Sequence, residues 1–192
     1  MLIRLSTPSG LAVPLDYVKE TLHILTTEFD DRLERLIRDQ TRRYEDFTGR
    51  FMLPTEVEWR SENWGYFGFI ALPVAPVRSV SEVAYLDTEH AEQILDPSDW
   101  YLITPDHAEW QLWWTDVFNA PGYSDRPQPI RVRMIVGHDE PGVSGSGDDA
   151  ELAPVLQDQG VITSMVGWLF DKDEALPDEL LRRMANNRRI YR

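Results

Sequence analysis

Residues 27–49 read TEFDDRLERLIRDQTRRYEDFTG. Their apolar positions are Phe29, Leu33, Leu36, Ile37, Tyr44 and Phe47, with Gln40 in the one remaining slot, and this spacing traces a single face of a helix. Thr27 stands where a side-chain cap belongs, Asp30 and Asp31 favour the positive end of the helix dipole, and Gly49 offers the left-handed residue that ends a helix. The pattern predicts a helix of roughly 20 residues, about 30 Å long. Its opposite face carries Arg32, Arg35, Arg38, Arg42 and Arg43 among Glu34, Asp39, Glu45 and Asp46, several at the three- and four-residue spacings that permit ion pairs. A helix with so wide an apolar stripe needs other elements to cover it.

Upstream, Tyr17, Val18, Leu22 and Leu25 predict a shorter helix running from Pro14 to Thr26, so that the two form a helical hairpin. Residues 1–13 show neither helical nor strand period and read as an extended arm. Beyond Gly49 the helical period disappears. Six runs then have strand character: around Val57 and Trp59; Tyr66 to Leu72; Val77 to Tyr85; Trp100 to Ile103; Trp110 to Trp114; and Ile130 to Val136. Prolines fall between the runs, where they interrupt no ladder. Residues 137–150, GHDEPGVSGSGDDA, have the composition of a flexible acidic loop. After Pro154, the residues Val155, Ile162, Met165, Val166, Leu169 and Phe170 line a third helix. Pro177 then opens a fourth, with acids first and arginines last as the dipole prefers.

The expected fold class is α+β, with N- and C-terminal helices forming a bundle and a small antiparallel β-sandwich or barrel inserted between them. The expected division is an arm and helical hairpin over 1–50, the β insertion over 51–138, the acidic loop over 139–151, and C-terminal helices with a basic tail over 152–192.

The 192 residues include 33 acids and 19 bases, a net charge of −14, and no cysteine. No disulfide framework or thiolate chemistry is therefore available. The first residues lack the basic start and unbroken apolar run of a signal peptide, and no stretch has the ~20 apolar residues of a membrane span. A soluble protein made in a cytoplasm, with no membrane partner, is the expectation. The charge is uneven: residues 51–138 carry −8, residues 139–179 carry −10, and residues 180–192 carry +5. An acidic body does not grip phosphates, since that affinity comes from lysine and arginine displacing counterions.

Catalytic and metal motifs are weak, and no catalytic, cofactor or metal residues are assigned. The four histidines are scattered. His138, Asp139 and Glu140 read as a solvated strand end, Glu56 and Glu58 as surface charges, and Asp148, Asp149 and Glu151 as an incomplete calcium loop. The clearest interaction candidate is the C-terminal stretch: Leu180, Leu181 and Met184 as an apolar face, and Arg182, Arg183, Arg188, Arg189 and Arg192 as donors for carboxylates, with Ile190 and Tyr191 between them. Among the aromatic residues, Trp64 and Tyr66, in the glycine-flanked segment SENWGYFG, are the candidates for exposure.

Four stretches carry a family resemblance: the short helix followed by DDRLERLIRDQTRRYEDFTGR; ALPVAPVRSVSEVAYLD, where a proline link feeds a strand ending in Tyr-x-Asp; ILDPSDWYLI; and VRMIVGHDEPG with the final LPDELLRRMANNRRIYR. In this order they resemble the head-tail connector (adaptor) proteins of long-tailed bacteriophages and gene transfer agents. Family members usually have an aromatic where His138 stands, and a shorter, less acidic link before the third helix. The resemblance implies a non-enzymatic structural protein of the virion neck, assembled in the host cytoplasm. It also implies a homo-oligomeric ring of twelve copies, a portal protein contacted through residues 180–192, and a tail-side stopper or tail terminator as second partner. DNA passes through the lumen of such a ring without specific binding, and the ring contacts would set Arg35, Arg38, Arg42 and Arg43 against acids of the neighbour, making assembly sensitive to salt. The alternative is a carbohydrate- or receptor-binding β module carried on helices.

Overall fold

The computed structural model describes residues 1–65, 68–103, 110–116, 118–139, 155–172 and 174–187. These residues form four α-helices and two antiparallel sheets, an α+β fold. They divide into two compact units. One holds Met1–Thr7 and Thr55–Gly137; the other holds Pro8–Pro54 and the described residues from His138 onward. The main chain therefore passes from one unit to the other after Thr7, after Pro54 and after Gly137.

The helical unit is built on α2 (Asp30–Thr48), whose Leu33, Ile37 and Tyr44 are fully buried. Gly49 ends it at φ 71°, its N–H donating to the Glu45 carbonyl at 2.9 Å. The start differs from expectation: Phe29 occupies the cap position without a side-chain hydrogen bond, and Thr27 contributes only its carbonyl, to Asp30 N–H. Asp30 instead pairs with Lys19 Nζ at 2.6 Å, tying the entrance of α2 to α1 (Leu15–Thr21). α1 is shorter than the sequence pattern, because His23 takes a left-handed φ of 57° and turns the chain away.

α3 (Leu156–Lys172) packs along α2 with Val161, Ile162, Met165 and Val166 buried. Each such side chain contributes about 1.5–3 kcal/mol of transfer free energy. The glycine at 167 permits a close approach: a Cβ there would lie 2.7 Å from Leu22 Cδ2. α4 (Asp178–Asn187) closes the same core with Leu180 and Met184.

In the other unit the five-stranded sheet has the order β1 (Leu2–Arg4), β2 (Thr55–Ser61), β8 (Ile130–Val136), β4 (Val77–Leu86), β5 (Glu92–Ile94). Its register sets Met134 between Val57 and Val80, and Val132 beside Val83, so that one face is a row of apolar residues. The three-stranded sheet has the order β3 (Phe69–Ala71), β7 (Gln111–Trp114), β6 (Trp100–Ile103). Both sheets are open at their edges, so the barrel alternative does not hold among the described residues.

Two strands escape a reading by pattern. β1 lies within what read as a free arm; Arg60 N–H to Met1 O and Leu5 N–H to Glu56 O fasten it as an edge strand. β5 is three exposed residues, too short for any alternation to register.

Candidate interaction surfaces

The two short motifs of the β region have local physical roles. Asp87, closing the Tyr-x-Asp run, accepts the N–H groups of Glu89 and Ala91, both at 2.9 Å, and Gln93 Nε2 at 2.8 Å, which shapes the β4–β5 turn. The Gln93 and Ala91 hydrogen bonds hold its carboxyl below the usual range. Asp96 in ILDPSDWYLI caps the 3-10 turn Pro97–Asp99 by accepting Ser98 N–H at 2.9 Å and Ser98 Oγ at 2.8 Å, aiming the chain into β6.

Trp64 is not exposed, which corrects the sequence reading. It is 7% accessible and stands at the centre of an aromatic cluster, edge-on to Tyr85 at 5.3 Å, Trp114 at 5.4 Å, Phe118 at 5.7 Å and Tyr123 at 6.3 Å. Its Nε1 donates to the Pro121 carbonyl at 3.0 Å, and its own carbonyl accepts Trp114 Nε1 at 2.9 Å. The indole's one polar group is thereby paired, so the residue acts as a core anchor. Tyr66 lies outside the described residues.

The C-terminal candidates separate into two groups. Leu180 and Met184 are buried in the helical core, and Leu181 packs against it, so the apolar face expected to be free is covered by the chain itself. Spacing of i and i+4 on a helix marks a buried stripe without saying which molecule buries it. Arg182 is exposed, and Arg183 is exposed with a 2.9 Å bond to Glu179. Arg188, Arg189, Ile190, Tyr191 and Arg192 lie outside the described residues.

On α2, Arg35, Arg38, Arg42 and Arg43 share the exposed face. Arg38 pairs with Glu34 and Arg42 with Asp46, each at 3.1 Å and four residues apart, while Arg35 Nε donates to the Asp31 carbonyl at 3.1 Å. Three of the four arginines thus find partners within their own helix. Such exposed pairs contribute only about 0.3–0.5 kcal/mol each.

A charged network that sequence reasoning missed covers the polar face of the five-stranded sheet. Register places Glu58 on β2, Arg133 on β8 and Glu82 on β4 side by side. Glu58 is 3% accessible, against the expectation of a surface charge; it accepts Arg60 Nε at 2.7 Å and Arg133 Nε at 3.1 Å, with Arg131 Nη1 at 3.9 Å. Arg133 also reaches Glu82 at 3.4 Å, and Arg131 pairs with Glu92. Burial works against the Glu58 charge, but the hydrogen bonds from Arg60 and Arg133 and the attraction of Arg60 and Arg131 prevail, so its pKa is lowered. A lowered folded-state pKa means stability that is present above the unfolded value and lost as pH falls through the folded one. Glu58→Gln is therefore expected to cost about 2 kcal/mol at neutral pH, less than a fully buried pair because Arg60 and Arg133 are partly solvated. The difference from wild type should vanish in urea melts run well below pH 4. A gap that persists unchanged in acid would contradict the ionic account.

Other sequence candidates fall differently. His138 is buried at 4% accessibility, not solvated, with its N–H donating to the Phe51 carbonyl at 3.2 Å. Glu56 remains exposed. Asp148, Asp149 and Glu151 lie outside the described residues. Among the described residues no group of three or more His, Cys, Asp or Glu side chains could hold a metal ion, and no helix is long and apolar enough to cross a membrane.

No protein-family model matches the chain, and no curated protein matches it. Solved structures do. A chain in the virion of a native gene transfer agent (GTA) particle aligns with a TM-score of 0.73 at 16% identity, over 100% of this chain and 96% of that one. A chain in the neck of an empty GTA particle, computed with C6 symmetry, gives 0.72 and 16% over the same shares. One in the neck of a native GTA particle, computed with C12 symmetry, gives 0.71 and 15%, again over 100% and 96%. The chain thus shares its α+β fold, from end to end, with chains of gene transfer agent virions and necks.

Proposed function

We propose that the chain is a structural, non-enzymatic head-tail adaptor. In this reading it forms a ring of twelve copies in the neck of a tailed particle, beneath the portal protein, and receives a tail-side stopper or terminator. The observation that carries it is the likeness in fold, over the full length, to chains of GTA necks computed with C6 and C12 symmetry. Charge supports it independently: residues 51–179 carry −18, which the basic C-terminal stretch brings down to a net −14 for the chain. An acidic wall repels DNA phosphates and lets the duplex slide, where a basic one would hold it. The particle would be assembled in the host cytoplasm, and the mature protein would reside in the virion neck.

With Leu180 and Met184 committed to the chain's own core, docking on the portal falls to Arg182 and to residues 188–192, whose arginines suit bidentate pairing with carboxylates. Removing residues 188–192 is expected to weaken binding to purified portal about tenfold or more while leaving thermal unfolding unchanged. Undiminished binding by the truncated chain would reject this docking segment. A full-length chain that neither binds portal nor enters necks would reject the adaptor itself. The carbohydrate-binding alternative has lost Trp64 to the core; saturable quenching of tryptophan fluorescence by sugars would restore it.

A further inference from the structure

The three-stranded sheet has two unlike faces. One carries Ile70 and Leu112, both buried. On the other, register sets Phe69, Trp113 and Tyr101 directly opposite one another across β3, β7 and β6, with Ala71, Gln111 and Ile103 in the next row. Phe69 and Trp113 are half-buried and stack at 5.0 Å with 20° between their planes, while Tyr101 is 45% accessible. Trp113 Nε1 donates to Gln111 Oε1 at 2.8 Å, so the indole's one polar group is satisfied on the sheet. None of the six residues is charged, although charged side chains make up 27% of the chain.

We infer that this aromatic ridge is a contact between copies: it packs against a different surface of the neighbouring copy of the same chain. The inference rests on the ring reading above and says where that ring is held. Charge selects the occupant. Copies that each carry −14 repel one another, and a contact that brings no like charges together and takes apolar area out of water offsets that repulsion. The helix arginines that could have answered a neighbour's acids are largely paired within α2. Aromatic residues without charge are also the composition that marks the centre of protein interfaces. Ring geometry argues against a sugar: in the stacked pair Phe69 and Trp113 turn faces toward each other, which leaves less open ring face for a pyranose to cover. A closed ring needs a head-to-tail contact, so the ridge supplies one of two unlike halves.

This reverses the salt dependence expected from arginine contacts. Association through an uncharged ridge strengthens with salt, because screening removes the repulsion between acidic copies.

The test places a photo-crosslinking phenylalanine analogue at position 101 of the full chain, incorporated into assembled particles. A chain-to-chain adduct from position 101 is the expected result. Adducts exclusively with another protein or with glycan, or no adduct in particles whose necks contain the chain, would overturn the ridge contact and leave the ring reading standing. Absence of the chain from every neck would overturn the ring reading, and this inference with it. As a second variant, Tyr101→Glu puts a carboxylate on the exposed end of the ridge with little effect on folding. It is expected to reduce neck occupancy about tenfold or more; wild-type occupancy would count against the proposal.

Discussion

Asp158→Ala is expected to lower the stability of the helical unit by about 3 kcal/mol, the lower end of what removing one partner from a buried ion pair costs. The carboxylate is 2% accessible in the first turn of α3. It accepts Tyr44 Oη at 2.6 Å and the Arg50 guanidinium through Nε at 3.0 Å and Nη2 at 2.8 Å. Tyr44 belongs to α2 and Arg50 to the segment just after it, so one side chain on α3 joins the helix and its exit. Alanine removes the acceptor from a buried hydroxyl and from a guanidinium whose side chain is 22% accessible and turns only partly to water. Asp158→Asn keeps the shape and an acceptor for Tyr44 but loses the charge, and is expected to cost about half as much. Urea denaturation followed at 222 nm measures both, and a loss below about 1 kcal/mol for alanine would show that the site is already hydrated.

The second large effect lies in the sheet unit. Gly65→Ala is expected to cost about 3 kcal/mol or more, and to do so by moving backbone. Gly65 has φ 83°, and a Cβ built on it would lie 1.9 Å from the Phe69 carbonyl oxygen and 2.7 Å from its carbon. The positive φ alone costs an L-residue about 1–2 kcal/mol. No side-chain rotation relieves the remainder, because the opposing atoms are main chain. The chain at 65 must shift against the start of β3, and Trp64, one residue earlier, shifts with it. Tryptophan emission is the appropriate readout, since Trp64 and Trp114 share the cluster that would loosen. Wild-type stability with unchanged emission would contradict the geometry. Comparing the two variants also asks whether the units unfold together: Asp158→Ala should shift the helical signal first and Gly65→Ala the tryptophan signal first if they do not.

Much of this fold is visible in the sequence because period is a local property. α2 and six of the strands lie within stretches that declare themselves by which residues repeat at 3.6 or at 2, with no knowledge of what they touch. Partners are not local. Trp64 sits in SENWGYFG, which resembles an exposed turn, and only its neighbours, Tyr85, Trp114, Phe118 and Tyr123, make it a core residue. Glu58 looks like one of two strand carboxylates until Arg131 and Arg133, more than 70 positions later, close over it. Leu180 and Met184 show the complementary ambiguity, since an amphipathic helix face is the same pattern whether it seeks another molecule or its own core. The Phe69–Trp113–Tyr101 row depends on pairing register between three strands, a relation that no single stretch contains.

Among the described residues the main chain changes unit at three places, after Thr7, Pro54 and Gly137. The two units are therefore joined by three peptide connections, where an ordinary inserted domain has two and a tandem pair has one. Severing any single connection leaves the units covalently joined, so a nick at one of these junctions does not part them.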